Sequence, residues 1–229
     1  YNGNDVSWYR NNAGTGLSWS RLIINNQALG ARNVRTADVD NDGVLDIVTT
    51  SVQDRTIAWH AGLGNGVFGS RQVISTANLD ARGLHVVDLD NDGDMDALSA
   101  SFGDGTAAWY ENDGTGKAYK KHELIKGEGW MKGVHATDMD GDGDMDVLAA
   151  SEDKNSVYLF RNNGGKAFAT EIIDKGTAKG ARYARAADLD GDGDKDVVGY
   201  YDPADRKKKT KTTTSGAIKV ELQTNMRMS

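Results

Sequence analysis

The stretch Asp38-Val39-Asp40-Asn41-Asp42-Gly43-Val44-Leu45-Asp46 decides how the chain reads. It recurs three times, as DLDNDGDMD (Asp88–Asp96), DMDGDGDMD (Asp138–Asp146) and DLDGDGDKD (Asp188–Asp196), each copy 50 residues after the last. A fixed period of this length marks an array of one structural unit. Each unit also gathers four carboxylates in one tight turn. Close like charges are costly unless a cation lies among them. The chain therefore reads as a row of repeats, each built around a site for a hard cation.

Alternate residues supply the ligands. In the first copy Asp38, Asp40 and Asp42 point inward, Val44 offers its carbonyl, and Asp46 closes the shell from the next strand. Gly43 takes the positive φ that reverses the backbone. The corresponding sets are Asp88, Asp90, Asp92 and Asp96; Asp138, Asp140, Asp142 and Asp146; and Asp188, Asp190, Asp192 and Asp196. At the seventh position Asp94, Asp144 and Asp194 offer carbonyls, with their side chains expected in solvent or on a water. Calcium takes about six to eight oxygens in flexible geometry, whereas magnesium demands a stricter octahedron and keeps its waters. Zinc prefers Cys and His, and the chain has no Cys and 4 His. About four calcium ions are the expectation.

Two other readings of the loop are weaker. An EF-hand shares the opening pattern but needs a Glu at the twelfth position and a helix on each side. The twelfth positions here are Thr49, Ser99, Ala149 and Gly199. Flanks such as Asp146-Val-Leu-Ala-Ala are short apolar runs that read as strands. Asp-Gly and Asn-Gly are also ordinary hairpin turns, which accounts for one loop but not for four carboxylates in each of four.

The loops explain the charge. The chain of 229 residues carries 34 acids and 27 bases, a net −7. Nineteen of the 34 acids and one of the 27 bases lie in the loops, so the remainder is basic. Four calcium ions would bring the whole near neutrality. The acidity is thus a metal-binding signature and not a clue to a basic partner. The basic excess is spread along the chain and forms no nucleic-acid patch. No apolar run approaches a membrane span. The chain starts at Tyr1 without a Met or a signal sequence, which reads as a processed or excised piece. Loops of this kind fill at about millimolar calcium, which points outside the cytosol, to an extracellular or cell-surface location.

The rest of each repeat keeps the same beat. Ala31–Ala37, Ala81–Val87, Met131–Thr137 and Ala181–Ala187 lead into the loops, and a short apolar strand follows each. Thr56–Gly62, Thr106–Asn112 and Ser156–Asn162 come next, then a Gly-rich turn and a last strand such as Val67–Ile74 or Ala167–Ile173. Four short strands in about fifty residues match a propeller blade. One Pro and 28 Gly suit a turn-rich, all-β chain.

The loops resemble those of the FG-GAP and VCBS repeats of integrin-type β-propellers and microbial surface proteins, over about residues 4–201. The resemblance implies an all-β β-propeller of four-stranded blades with a calcium loop in each. It also implies roles in adhesion, carbohydrate binding or polysaccharide breakdown. The blades fall near 31–80, 81–130 and 131–180. Residues 4–30 and 181–201 are partial blades that together would close a four-bladed ring. Integrin-type propellers more often have seven blades, so the alternative is a larger ring or pairing with a second copy. Residues 202–229 leave the pattern: Lys207–Thr214 reads as a solvated basic linker and Ile218–Gln223 as a terminal strand.

Basic residues recur in the first strands. Arg32, Arg82, Lys132 and Arg182 share one register; Arg35, His85, His135 and Arg185 share another. First strands line a propeller's channel, so either set could form a cationic ring that receives an anion or an acidic sugar, and Arg35, His85, His135 and Arg185 are taken as the candidate ligand site. The competing assignment pairs these bases with loop carboxylates or backbone carbonyls. Trp59 and Trp109 are one repeat apart, with Tyr9 and Leu159 at the matching places, and read as packing between blades. Trp8, Trp19 and Trp130 break the repeat; an exposed Trp could stack on a sugar ring, but burial is the expectation for any one of them. No catalytic set emerges from the four His or the many Ser and Asp. The leading expectation is a non-catalytic, calcium-stabilised interaction module that binds a protein or glycan. The alternatives are a propeller domain of a polysaccharide-degrading enzyme, or a structural repeat of a surface filament.

Overall fold

The computed structural model describes residues 4–12, 14–164, 166–177 and 179–202. The expected linker and terminal strand beyond residue 202 lie outside these. Among the described residues no helix is long and apolar enough to cross a membrane.

Sixteen strands form five separate antiparallel sheets among the described residues. The first sheet is a pair, β1 (Val6–Asn11) and β2 (Trp19–Asn25). Three four-stranded sheets follow, each a meander in chain order. These are β3 (Ala31–Ala37), β4 (Asp46–Ser51), β5 (Thr56–Gly62) and β6 (Phe68–Ser75), then β7 (Ala81–Val87), β8 (Asp96–Ser101), β9 (Thr106–Asn112) and β10 (Tyr119–Ile125), then β11 (Met131–Thr137), β12 (Asp146–Ser151), β13 (Ser156–Asn162) and β14 (Phe168–Lys175). A second pair ends the row, β15 (Ala181–Ala187) and β16 (Asp196–Tyr201). First strands lie side by side, β3 next to β7, β7 next to β11 and β11 next to β15.

Burial explains the sequence of the second strands. β4, β8 and β12 are buried along their whole length. Side chains alternate between faces, and here both faces meet a neighbouring sheet. Ile47 packs backward with Val6 and Ala28, while Val48 packs forward with Leu84, Ala97 and Tyr110. Leu98 and Ala100 meet Met131, Val134 and Phe160 in the next sheet. Leu148 and Ala150 meet Ala181 and Ala184 in the last. A strand buried on both sides loses the alternation of apolar and polar residues, and after the opening Asp these carry only apolar residues and small hydroxyl residues, as DIVTTS, DALSAS and DVLAAS. Each hydrophobic cluster thus sits between two sheets.

The composite sheet anticipated from the chain ends does not form. β1 pairs with β2 and β15 with β16, and neither pair bonds to the other. Packing holds them at opposite ends of the row. Val6 anchors the first pair against the sheet of β3–β6, and Ala181 and Ala184 anchor the last against Met139 and Leu148.

The first pair also shifts register by one residue. The 50-residue period sets Tyr9 at the place of Trp59, yet Tyr9 is exposed. Trp8 does that work instead. Its ring covers Gly66 and meets Phe68 edge-on, centroids 6.4 Å apart. Trp59 covers Gly116 in the same way and donates its indole N–H to the Gly116 carbonyl at 3.0 Å. Lys166 holds the third such place, over Trp109. Trp19 and Trp130, expected inside, are 56% and 43% exposed. Trp130 stacks on Phe102 at the surface, centroids 5.0 Å apart.

The Trp59–Gly116 contact joins two sheets and is testable. A Cβ at Gly116 would lie 2.5 Å from the Trp59 ring, at a φ of +66°. Gly127 has a similar φ of +77° and nothing within 4 Å. Gly127→Ala should cost about 1–2 kcal/mol from the backbone alone. Gly116→Ala should cost about 1–3 kcal/mol more through the clash. Urea unfolding checks this, and equal losses would remove the inter-sheet role of Trp59.

Candidate metal centres

Each loop joins a first strand to a second strand, and each brings three carboxylates together. The groups are Asp38, Asp40 and Asp42; Asp88, Asp90 and Asp92; Asp138, Asp140 and Asp146; and Asp188, Asp190 and Asp196, with one ligand oxygen from each residue within 4.8 Å of the others. The backbone of the loop is wound around the first aspartate. Asp38 accepts N–H bonds from Asp42 at 3.1 Å and Gly43 at 2.8 Å, and Asp88 accepts from Asp92 and Gly93 at 3.2 and 3.0 Å. Asp138 and Asp188 accept from the glycines at 141 and 143, and at 191 and 193. The fourth position requires positive φ. Asn41 and Asn91 adopt it at 59° and 60°, Gly141 and Gly191 at 79° and 81°.

The closing aspartate serves the fold as well. Asp46 is fully buried; its two oxygens accept N–H bonds from Val39 and Gly62, both at 2.7 Å. Asp96 accepts from Leu89 and Asn112, and Asp146 from Met139 and Asn162. Asp196 accepts from Leu189 at 3.1 Å. Among the expected ligands, Asp46, Asp96, Asp142 and Asp192 stand outside the tight groups. Asp142 and Asp192 each accept the backbone N–H of the seventh residue at 2.9 Å, as Asp42 does from Val44 at 2.8 Å.

Two of the three seventh-position side chains depart from expectation, whereas Asp194 is exposed to solvent as expected. Asp94 is not left to solvent: it accepts from Asn41 of the preceding loop at 2.6 Å. Asp144 accepts from Asn91 at 2.8 Å. The third loop has Gly141 in place of that Asn, so it offers Asp194 no such donor. There the link runs the other way: Lys195 reaches the Thr137 hydroxyl at 2.8 Å and the Asp138 carbonyl at 2.7 Å. Two further stitches were not foreseen. Buried Asn112 donates to the carbonyls of Val39 and Met95 at 2.8 and 3.1 Å, and Asn162 to those of Leu89 and Met145. Their only sequence signal was the repeated Asn at the end of a third strand.

The carboxylates fit a cation on chemistry as well as on spacing. The Oδ1 atoms of Asp40 and Asp90 are buried without a hydrogen-bond donor. Buried charged oxygens in that condition need a counter-ion. Basic side chains serve the second aspartate in two loops: Lys166 lies 2.7 Å from Asp90 and Arg161 2.8 Å from Asp140. Burial lifts the Asp96 carboxyl to about 7 and raises Asp46 and Asp146. Burial, then the Asp42 and Asp38 charges, raises Asp40.

The first-strand set Arg35, His85, His135 and Arg185 converges. The two imidazoles meet edge-to-face, centroids 5.0 Å apart. Burial, aided by both arginines, lowers each His to about 4, so both are neutral at pH 7. Arg35 and Arg185 each donate to a carbonyl of their own strand, Val34 at 2.8 Å and Ala184 at 3.1 Å.

A family model for the FG-GAP-like repeat matches residues 1–49, 50–99, 88–149 and 138–199. The chain belongs to the FG-GAP-like repeat family. No curated protein matches it in sequence. Among solved structures it is similar to an Agrocybe aegerita lectin described as specifically recognising non-reducing terminal N-acetylglucosamine, with a TM-score of 0.61 and 20% identity over 86% of this chain and 56% of that one. It is also similar to the V. cholerae biofilm matrix protein Bap1, with a TM-score of 0.52 and 22% identity over 86% of this chain and 29% of that one. The chain thus spans about half of the lectin and under a third of Bap1. At these identities the likeness is one of fold.

Asn112→Ala strands two buried carbonyls and should cost about 2–5 kcal/mol; a loss under about 1 kcal/mol in urea unfolding would contradict the stitch. The raised aspartates set a pH trend. Without a cation these aspartates keep protons in the folded protein that the unfolded chain has lost, so their contribution to stability falls as pH rises from about 4 to about 7. The lowered histidines act in the opposite sense, but equally with and without metal. The difference in melting temperature between excess calcium and excess chelator should therefore widen steadily from pH 5 to pH 7.5. A constant difference would detach the carboxylates from the metal.

Proposed function

We propose that this chain is a non-catalytic, calcium-stabilised interaction module that works outside the cell, with its sheets as successive blades of a propeller, and that it binds carbohydrate or protein. The observation that carries the metal reading is the buried, donor-less oxygen on Asp40 and again on Asp90, each in a group of three convergent carboxylates. Asp-rich, all-oxygen sites without Cys or His favour calcium. Asp38, Asp40, Asp42 and Asp46, with the Val44 carbonyl, would hold the first ion. The same positions, with the Asp94, Asp144 and Asp194 carbonyls, would hold the others. Each ion would neutralise carboxylates that otherwise repel, and so stiffen the join between first and second strands.

The propeller reading rests on first strands lying side by side in repeat order, with each hydrophobic cluster between two sheets. Its two half-sheets at the ends of the row suit a ring continued by further blades or by another copy. The binding role draws on the lectin and the matrix protein that share the fold. The biofilm matrix named for the second of these also supports an extracellular place. A non-catalytic role suits Arg35, His85, His135 and Arg185, which we assign to the channel wall. Their imidazoles are neutral and packed on each other, and each arginine is bonded to its own strand.

Calcium at ten times a Kd of about 0.1 mM would stabilise each site by about 1.4 kcal/mol, and four by about 6. Excess chelator should therefore lower the melting temperature by more than about 10 °C. Restored calcium should recover it, and magnesium at the same concentration should not. An unchanged melting curve in chelator would falsify the metal reading. A glycan array probed with and without calcium tests the binding role; calcium-dependent retention of at least one sugar class is expected, and a blank array would remove carbohydrate as the partner.

A further inference from the structure

The four first strands share an irregularity at one place. In β3 and β4, Ala31 faces Ser51 and Asn33 faces Thr50, so Arg32 is an extra residue. The same β-bulge recurs at Arg82, Lys132 and Arg182. A bulge re-aims the side chain it carries. All four bulge residues are basic, and all four line one cavity of about 190 Å³, together with Asn33, Tyr183 and Tyr200. That volume would hold about six waters.

We propose that these bulges build a pocket for the carboxylate of an acidic sugar. This rests on the carbohydrate-binding reading above and narrows its ligand class. The charge balance favours a single anionic group. Arg82 is paired with Asp80, at 2.8 Å through Nε, and its guanidinium lies 3.6 Å over the Phe102 ring. Lys132 is paired with Glu152; Arg182 lies 3.6 Å from Glu152 and 3.2 Å from Asp202. Three acids therefore answer three of the four bases. Arg32 makes no ion pair among the described residues and is exposed at the pocket. A guanidinium presents a planar fork that matches a carboxylate. The pocket supplies an apolar wall as well. Tyr183 and Tyr200 are stacked, centroids 6.4 Å apart, and are 39% and 40% exposed. Amphipathic rings beside a free guanidinium suit a sugar acid better than a bare inorganic anion, which needs no such face.

Close packing of the first strands fixes the geometry. A Cβ at Gly83 would lie 3.1 Å from the Lys132 carbonyl, and one at Gly133 would lie 2.6 Å from the Arg182 carbonyl. Asn33 donates its amide to the Arg82 carbonyl. Neighbouring bulges are therefore held in contact, and the four bases converge by construction of the repeat.

Calorimetry on the whole chain in millimolar calcium tests the pocket. The probes are a disaccharide ending in a uronic acid and its carboxyl-reduced counterpart. The acid should bind at least tenfold more tightly than the reduced sugar, and more weakly as salt rises. Arg32→Ala should lose tenfold or more with its melting temperature unchanged, while Arg10→Ala, an exposed change in another sheet, should bind as the unaltered chain does. Equal binding of the two sugars, retention of the acid by Arg32→Ala, or no binding of the acid would each overturn the pocket. No binding of the acid together with a neutral glycan retained on the array would overturn the pocket while leaving the broader carbohydrate role standing. A blank array removes both.

Discussion

Each complete repeat hangs from one buried aspartate. Asp46, Asp96 and Asp146 are at most 1% exposed, and each spends its two oxygens on two different segments. One oxygen holds the N–H of the loop's second residue, the other holds the N–H at the end of the third strand. A single side chain at the start of the second strand thus fixes both the entry to the loop and the strand beside it. Burial makes its negative charge costly, as the Asp96 carboxyl at about 7 records. The other loop aspartates add repulsion. Loop and strand are consequently correct only together, and a cation is the natural way to make them correct at neutral pH.

Repeat arrays draw their stability from units and from the contacts between neighbours. Here those contacts are polar at the loops and apolar between the sheets. Asn41 reaches Asp94 and Asn91 reaches Asp144, so the first three loops are linked in series by the same device. Where Gly141 replaces the Asn, Lys195 bridges the third and fourth loops instead. The two solutions are chemically different and structurally equivalent. Loss of order in one loop should therefore be felt by the next.

Much of this was legible in the residues, and the remainder was not for definite reasons. The loops, the strand between each pair of turns and the position of the closing aspartate all follow from spacing within about ten residues. The bond that takes Asp94 away from solvent is not legible in the spacing, because its partner, Asn41, is 53 positions away. Lys166 on Asp90 and Asn162 on Leu89 are further cases of long separation. The place of Tyr9 is not legible because a strict period hides a one-residue slip, which the contacts of Trp8 with Gly66 and Phe68 reveal. Trp130 lies partly exposed because Phe102 offers it a stacking surface outside the sheets. Closure of a ring was the least legible feature of all. It depends on how the end pairs pack, and Val6 and Ala181 hold them to their own neighbours.

The bulge also settles how two opposite charges share one short strand. From Arg32 to Asp38 the chain advances six residues, or roughly 20 Å in an extended strand. Surface charges that far apart are largely screened at physiological salt, where the Debye length is about 8 Å. The loop carboxylates therefore cannot neutralise the bulge bases, and Asp80, Glu152 and Asp202 do so for three of them. Arg35, only three residues along from Arg32, instead turns to a carbonyl of its own strand. The repeat thus places its loop carboxylates at one end of each first strand and its bulge bases at the other. That separation lets the loops be filled by metal without altering the charge offered at the bulges.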